Sequence, residues 1–174
     1  MPALRLSGIR ACVFDAYGTL FDVTSAAVRA KDALGERWQP LSELWRAKQL
    51  QYTWLRSLMG RHVDFWQVTG DALDYAMASL AFQDASLRGR LMRLYLELDA
   101  YPEVKETLSR LKAAGLRLAI LSNGAPKMLA AAVKNSGIFV QRVGRARRKG
   151  VRLSRPEVQP LRPGARAHSG EARR

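Results

Sequence analysis

The chain has 174 residues, 48% of them hydrophobic, and a formal net charge of +14. This length suits one compact domain with a small insert, and the hydrophobic fraction is that of a globular protein. A single cysteine, Cys12, excludes a disulfide framework and a cysteine-based metal site within one chain. Arg5 and Arg10 interrupt the N-terminal apolar residues, and no apolar run of about 20 residues occurs, so we expect a cytoplasmic protein without a membrane partner.

Residues 9–14 form a short apolar run with β-branched members, bounded by Gly8 and Asp15. This pattern predicts a buried parallel strand that ends in a loop. Residues 116–121 repeat the pattern and predict a second strand. We therefore expect both strands in one sheet.

Between these strands, residues 21–98 show only helical periodicity. One long amphipathic helix is predicted from apolar residues at spacings of three to four, namely Leu41, Leu44, Trp45, Tyr52, Leu55 and Met59. Asp64 and Asp84 are candidate N-caps of two further helices. We expect a helical subdomain here.

The chain then returns to an alternating pattern. A helix is predicted from Pro102 to Gly115, and another opens at Pro126 and ends at Gly137. Together these elements predict an α/β fold with a doubly wound parallel sheet as its core. The core occupies residues 1–20 and 99–138, and the helical cap subdomain occupies residues 21–98.

The last segment, residues 139–174, has a different composition. From residue 140 onward it holds eleven basic residues, ten of them arginines, against two acidic residues, and it has no aromatic residue. Neither helical nor strand periodicity is present, so we expect a disordered or out-of-frame tail. Abundant Arg, Gly, Ala and Pro is typical of a GC-rich gene read out of frame, a hypothesis that sequencing the locus would test.

Asp15 is the candidate nucleophile. It follows the first strand directly, at the sheet edge where ligands bind in open α/β folds. Gly18 allows a tight turn beneath the carboxylate, and the Thr19 hydroxyl with nearby amides can fix its rotamer. An aspartate held in this way can attack carbon or phosphorus.

The sequence FDAYGTLFD at residues 14–22 resembles motif I of the haloacid dehalogenase superfamily, and LSNG at residues 121–124 resembles its motif II. The stretch LWRAKQLQYTWLRSL at residues 44–58 resembles the cap helix of the type II L-2-haloacid dehalogenases. The resemblance covers roughly the first four-fifths of the chain. It implies a Rossmann-like core with an inserted helical cap.

Tyr17 bears on the class of reaction. Phosphatases of the superfamily have Asp at this position, because an alkoxide leaving group needs a proton from a positioned acid. A departing halide needs only stabilisation of its negative charge. Tyr17 therefore favours dehalogenation, and a small-molecule phosphatase of the same superfamily is the alternative.

The resemblance implies that Asp15 displaces halide from an (S)-2-haloalkanoic acid and forms an ester, which water hydrolyses to the (R)-2-hydroxy acid. It assigns catalytic roles to Asp15, Thr19, Arg46, Ser122 and Asn123. Arg46 would face the halogen or the substrate carboxylate, and Ser122 with Asn123 would bind that carboxylate. The residues expected around the halogen and alkyl group are Tyr17, Leu50 and Phe65. No metal or cofactor is implied, and the family also suggests a homodimer.

Beyond residue 138 the chain departs from the family, which there supplies further strands, a lysine and a late acidic loop. Lys149 lacks the strand and the proline-bearing turn that would place its amine. We therefore expect the core to be incomplete at its C-terminal end and this chain to have little or no activity. A second alternative is an inactive fragment whose basic tail binds nucleic acid nonspecifically, with no specific nucleic-acid partner.

Overall fold

A four-stranded sheet lies at the centre of the computed structural model, which describes residues 7–147 and 150–154. The first three strands are parallel and the fourth is antiparallel to the third. In sheet order, the strands are β1 (Ala11–Phe14), β2 (Arg117–Ser122), β3 (Arg142–Arg147) and β4 (Gly150–Ser154).

Helices connect the parallel strands. Six lie between β1 and β2: α1 (Ser25–Val28), α2 (Lys31–Leu34), α3 (Trp38–Leu58), α4 (Phe65–Ser79), α5 (Ala85–Tyr95) and α6 (Val104–Ala113). A 3-10 turn at Gly35–Arg37 joins α2 to α3, and α7 (Pro126–Ser136) connects β2 to β3. The predicted α/β fold with a helical insert is confirmed. Within residues 7–147 and 150–154, none of the helices combines the length and the hydropathy of a membrane-spanning segment.

Local signals set several helix boundaries. The Asp64 carboxylate accepts the amide of Trp66 at 2.9 Å and begins α4, as predicted. α7 begins at Pro126 and ends before Gly137, whose φ of +64° suits a residue without a side chain. The helix predicted from Pro102 begins instead at Val104, because residues 101–104 form a turn in which the Val104 amide donates to the Tyr101 carbonyl.

One face of the sheet is covered by helices. Because β1, β2 and β3 succeed one another in the same direction and such crossovers are right-handed, α6 and α7 lie on the same face. Leu118 and Ile120 point to this face and are fully buried. Their partners in β1 are Cys12 and Phe14, which are only half-buried.

The first strand was predicted to be buried. This prediction is wrong for the face of β1 that points away from α6 and α7. Val13 is 59% exposed and Ile9 is 50% exposed. In the sheet of the described residues, β1 is an edge strand, and its second face has no helix packed on it. Parallel strands are buried only where both faces are covered.

The prediction that no strand follows Phe139 is also wrong, since β3 and β4 lie there. The reason is that sheet pairing is a backbone interaction, which side-chain periodicity does not report. Buried Val140 anchors the approach to β3, and Gln141 bonds Leu118 twice, through its amide to the Leu118 carbonyl and through its side-chain oxygen to the Leu118 amide. The predictions made for Lys149 and for residues 155–174 lie outside the described residues.

The chain crosses between the sheet and the helical insert twice, at residues 20–22 and 99–101. These two crossings are hydrogen-bonded to each other. The Asp22 amide donates to the Asp99 carbonyl at 2.8 Å, and the Tyr101 amide donates to the Leu20 carbonyl at 3.1 Å. Phe21, fully buried, pairs with Ala100 between these bonds. The helices and the sheet share one continuous hydrophobic core.

Asp84 provides a test of helix capping. Its carboxylate accepts the amides of Ser86 and Leu87 at the start of α5, and it also accepts the Ser86 hydroxyl. These bonds, the Ser86 hydroxyl first, lower the pKa of the Asp84 carboxyl. A lowered pKa stabilises the folded state above the unfolded value of 3.8, and this contribution is lost as the pH falls through the folded pKa.

We expect Asp84→Ala to lower the midpoint of thermal unfolding at neutral pH, and we expect this deficit to shrink in acid. Asp84→Asn keeps an acceptor oxygen that does not titrate, so it should lose less stability at neutral pH. Circular dichroism melts across the acid range measure both variants. A deficit of Asp84→Ala that does not change with pH would contradict the assignment.

Candidate active site

A tight loop follows β1. The Ala16 carbonyl accepts three amides, from Thr19 at 3.3 Å, Leu20 at 2.9 Å and Phe21 at 3.0 Å. Gly18 has a φ of +88°, in the left-handed region that side chains disfavour, and this tight turn was predicted at Gly18. The backbone immediately after Asp15 is therefore firmly fixed.

The carboxyl ends of β1 and β2 bring the two predicted motifs together. Phe14 pairs with Ile120, so Asp15 and Ser122 lie at the same edge of the sheet. Ser122 is buried, and its hydroxyl accepts the Gly124 amide at 3.4 Å. The side chains of Asp15 and Asn123 are exposed, as is that of Thr19. The exposure of Asp15 follows from the position of β1 at the sheet edge.

Tyr17 lies in an aromatic cluster. Its ring stacks on Tyr95 at 5.8 Å and lies 5.8 Å from Phe65 and 6.3 Å from Phe21. Burial raises the pKa of Tyr17, and Tyr95 and the Asp15 carboxylate raise it further. A phenol with a raised pKa is a poor proton donor to a leaving group. The Tyr17 hydroxyl is buried and has no hydrogen-bond partner within the part of the chain that the structure describes.

Arg46 reaches from α3 to the loop after β1. Its Nη2 donates to the Tyr17 carbonyl at 2.9 Å, and its Nη1 donates to Gln49 Oε1 at 2.8 Å. This arrangement places a planar cation against the backbone two residues after Asp15. A small cleft beside it is lined by Val23, Ser42, Trp45, Arg46, Gln49 and Tyr95.

The structure thus brings together some of the predicted site residues and leaves others apart. Arg46, Tyr17 and Phe65 form one contiguous group. Leu50 is half-buried on α3 but is not among the residues that line the cleft beside Arg46. Among residues 7–147 and 150–154, no three His, Cys, Asp or Glu side chains are grouped so that they could hold a metal ion.

The sequence analysis missed three residues of this region. Gln49 and Tyr95 are buried and bonded to each other, and Gly124 lies against Tyr17. Gln49 could have been noticed, because it follows Leu41 and Trp45 at a spacing of four on the apolar face of α3. A polar residue at such a position is normally paired.

A model of the haloacid dehalogenase-like hydrolase family matches residues 9–160 of the chain. The chain belongs to this family. The match extends past residue 138, where the sequence analysis found no resemblance.

Curated relatives of the chain are dehalogenases. It is 52% identical over 132 residues to (S)-2-haloacid dehalogenase 4A of Burkholderia cepacia, covering 75% of this chain and 57% of the relative. It is 51% identical over 127 residues to (S)-2-haloacid dehalogenase 1 of Pseudomonas sp. strain CBS-3, covering 72% and 56%. The chain thus spans somewhat more than half the length of these relatives.

A solved structure also matches. The L-2-haloacid dehalogenase of Xanthobacter autotrophicus, with chloropropionic acid covalently bound, aligns with a TM-score of 0.68 and 47% identity. The alignment covers 75% of this chain and 53% of that one.

A substitution at Gly124 tests the contact between the turn after β2 and the loop after β1. A Cβ at Gly124 would lie 2.6 Å from Cε2 of Tyr17 and 3.1 Å from Leu129, so one of these side chains must move. We expect Gly124→Ala to lower the free energy of unfolding by about 1–3 kcal/mol. Urea denaturation measures this change.

Gly89 in α5 is the matched control. The nearest atom to an added Cβ there is the end of the Arg93 side chain at 3.5 Å, which is ordinary contact. Gly89→Ala should therefore raise the free energy of unfolding by roughly 0.5–1 kcal/mol, the helical preference of alanine over glycine. Equal effects of the two substitutions would show that the Tyr17 contact is absent.

Proposed function

We propose that the chain acts on (S)-2-haloalkanoic acids, with Asp15 as the nucleophile that displaces halide from C2. The observation that carries this proposal is the hydrogen bond from the Arg46 guanidinium to the Tyr17 carbonyl, in the loop that follows Asp15. Residue 17 of this loop is a tyrosine and not an acid. A fixed cation and the absence of a proton donor suit a leaving group that departs as an anion. The names of the curated relatives, (S)-2-haloacid dehalogenases, support the same substrate class.

The proposed reaction has two steps. A carboxylate oxygen of Asp15 bonds to C2 from the side opposite the halogen, and the carbon–halogen bond breaks with its electron pair going to the halide. Water then attacks the aspartyl carbonyl carbon, and the bond from this carbon to the ester oxygen breaks. The departing oxygen takes one proton of the water and leaves as the hydroxyl group of the product, while the other proton is released and the Asp15 carboxylate is restored. Because the second step leaves C2 untouched, the product is the (R)-2-hydroxy acid. The covalently bound chloropropionic acid reported for the Xanthobacter enzyme is consistent with an ester of this kind.

The remaining residues receive roles within this proposal. Arg46 attracts the halogen or the substrate carboxylate, and Thr19 holds the Asp15 side chain. Ser122 and Asn123 donate hydrogen bonds to the substrate carboxylate. Tyr17, Leu50 and Phe65 surround the halogen and the alkyl group. The best support for this placement is the contact between the rings of Tyr17, in the loop after Asp15, and Phe65, at the start of α4.

We also propose a cytoplasmic location and pairing with a second copy of the chain. The free cysteine, Cys12, supports a reducing compartment. On α3, Trp54 and Leu58 are exposed at 61% and 80%, which suits an apolar contact between two copies.

Mass spectrometry after incubation with (S)-2-chloropropanoate tests the nucleophile. We expect the peptide that contains Asp15 to gain a carboxyethyl group while chloride is released, and we expect neither event in Asp15→Asn. The reaction should be slow, because an exposed carboxylate keeps a hydration shell that weakens its attack. Asp22→Asn is the control, since the Asp22 carboxylate binds Thr24 and has no proposed role in the reaction.

Two outcomes would contradict the proposal. One is the absence of a modification on Asp15 in the unchanged chain. The other is halide release by Asp15→Asn at the rate of the unchanged chain. Magnesium-dependent release of phosphate from p-nitrophenyl phosphate would favour the phosphatase alternative instead.

A further inference from the structure

Gln49 is a polar residue in an apolar setting. It lies on α3 with only 1% of its surface exposed, beside Trp45 and Tyr95. A buried amide is tolerated only when its donors and its acceptor are paired. The partners of Gln49 therefore show what its side chain does.

The hydrogen bonds fix which way the Gln49 amide points. The Thr69 hydroxyl donates its proton to the Phe65 carbonyl at 2.7 Å, so toward Gln49 it can only accept. It accepts from Nε2 of Gln49 at 2.8 Å. The NH₂ group thus faces Thr69, and the amide oxygen must face the opposite side.

The amide oxygen faces Arg46. It accepts Nη1 of Arg46 at 2.8 Å and the Tyr95 hydroxyl at 3.1 Å. The other terminal nitrogen of Arg46 donates to the Tyr17 carbonyl. The guanidinium is therefore held at both ends, by the interior of the insert and by the loop that follows Asp15.

We propose that Gln49 is a positioning residue for Arg46, and that Thr69 sets the orientation of Gln49. This inference rests on the proposed function in one point only, namely that Arg46 binds the substrate. A flipped Gln49 amide would point N–H groups at the guanidinium and would leave it with one partner. The Thr69 hydroxyl prevents this flip, although it is two contacts away from Arg46.

The experiment compares Thr69→Val with Thr69→Ser. Valine has nearly the shape of threonine but cannot accept from Gln49, whereas serine keeps the hydroxyl. The first measurement is the NMR spectrum of the Arg46 side chain, assigned by its disappearance in Arg46→Lys. A guanidinium held at both ends gives separate Nη signals, and one that rotates freely gives merged signals.

We expect separate signals in the unchanged chain and in Thr69→Ser, and merged signals in Thr69→Val. The second measurement is the rate of Asp15 modification by (S)-2-chloropropanoate. We expect Thr69→Val to lower it roughly tenfold to a hundredfold, as the loss of a hydrogen bond to a charged group predicts, and Thr69→Ser to preserve it. Gln49→Leu should reproduce both effects of Thr69→Val.

The two measurements separate this inference from the proposed function. Separate Arg46 signals in Thr69→Val would overturn the inference, whatever the chemistry at Asp15. Equal behaviour of Thr69→Ser and Thr69→Val would also overturn it, because the hydroxyl would then have no part. Merged signals in Thr69→Val, together with an unmodified Asp15 in the unchanged chain, would support the positioning role and contradict the proposed function.

Discussion

The two hydrogen bonds of Arg46 are the interaction on which the arrangement of this molecule depends. One bond goes to the Tyr17 carbonyl in the loop after β1, and the other goes to Gln49 inside the helical insert. A planar guanidinium can serve both partners at once, because its donors diverge at fixed angles. A lysine has no such geometry, so the link between insert and loop requires this residue type.

Aromatic packing supports the same link. Tyr17 contacts Phe65 and Tyr95 from the insert, while its ring also lies against the turn at Gly124 after β2. Three segments far apart in the sequence thus meet around one side chain. Burial raises the pKa of the Tyr17 phenol, so this side chain is uncharged, and the aromatic rings packed around it form an apolar region next to the loop that follows Asp15. An apolar setting of this kind is suited to a halogen or an alkyl group.

Local features of the sequence were predicted well because their causes are local. Asp64 and Asp84 cap helices through amides two or three residues away, and Pro126 with Gly137 bounds α7. The strand at 117–122 also followed from its own apolar run. β3 and β4 were not predicted, because their pairing depends on backbone bonds to another strand. The burial of β1 was predicted wrongly, because it depends on which strands lie beside it.

The residues of the candidate site divide in the same way, into those that short motifs indicate and those that depend on contacts between distant segments. Asp15, Gly18 and the turn at Ser122 could be found from short motifs, and Arg46 from the resemblance of its helix. Gln49 could not be assigned a partner, since Thr69 and Tyr95 lie 20 and 46 residues further along the chain. No sequence pattern indicates that a Cβ at Gly124 would collide with the Tyr17 ring.

The paired crossings between insert and sheet also determine how these two parts of the molecule are joined. The Asp22 amide is bonded to the Asp99 carbonyl and the Tyr101 amide to the Leu20 carbonyl, so the segments that enter and leave the insert lie side by side. The five helices of the insert thus form a closed excursion from the sheet, with both ends fixed at one place. Arg46 joins the insert to the loop after β1 by a side chain, so the position of that loop depends on the packing of the insert as well as on the sheet.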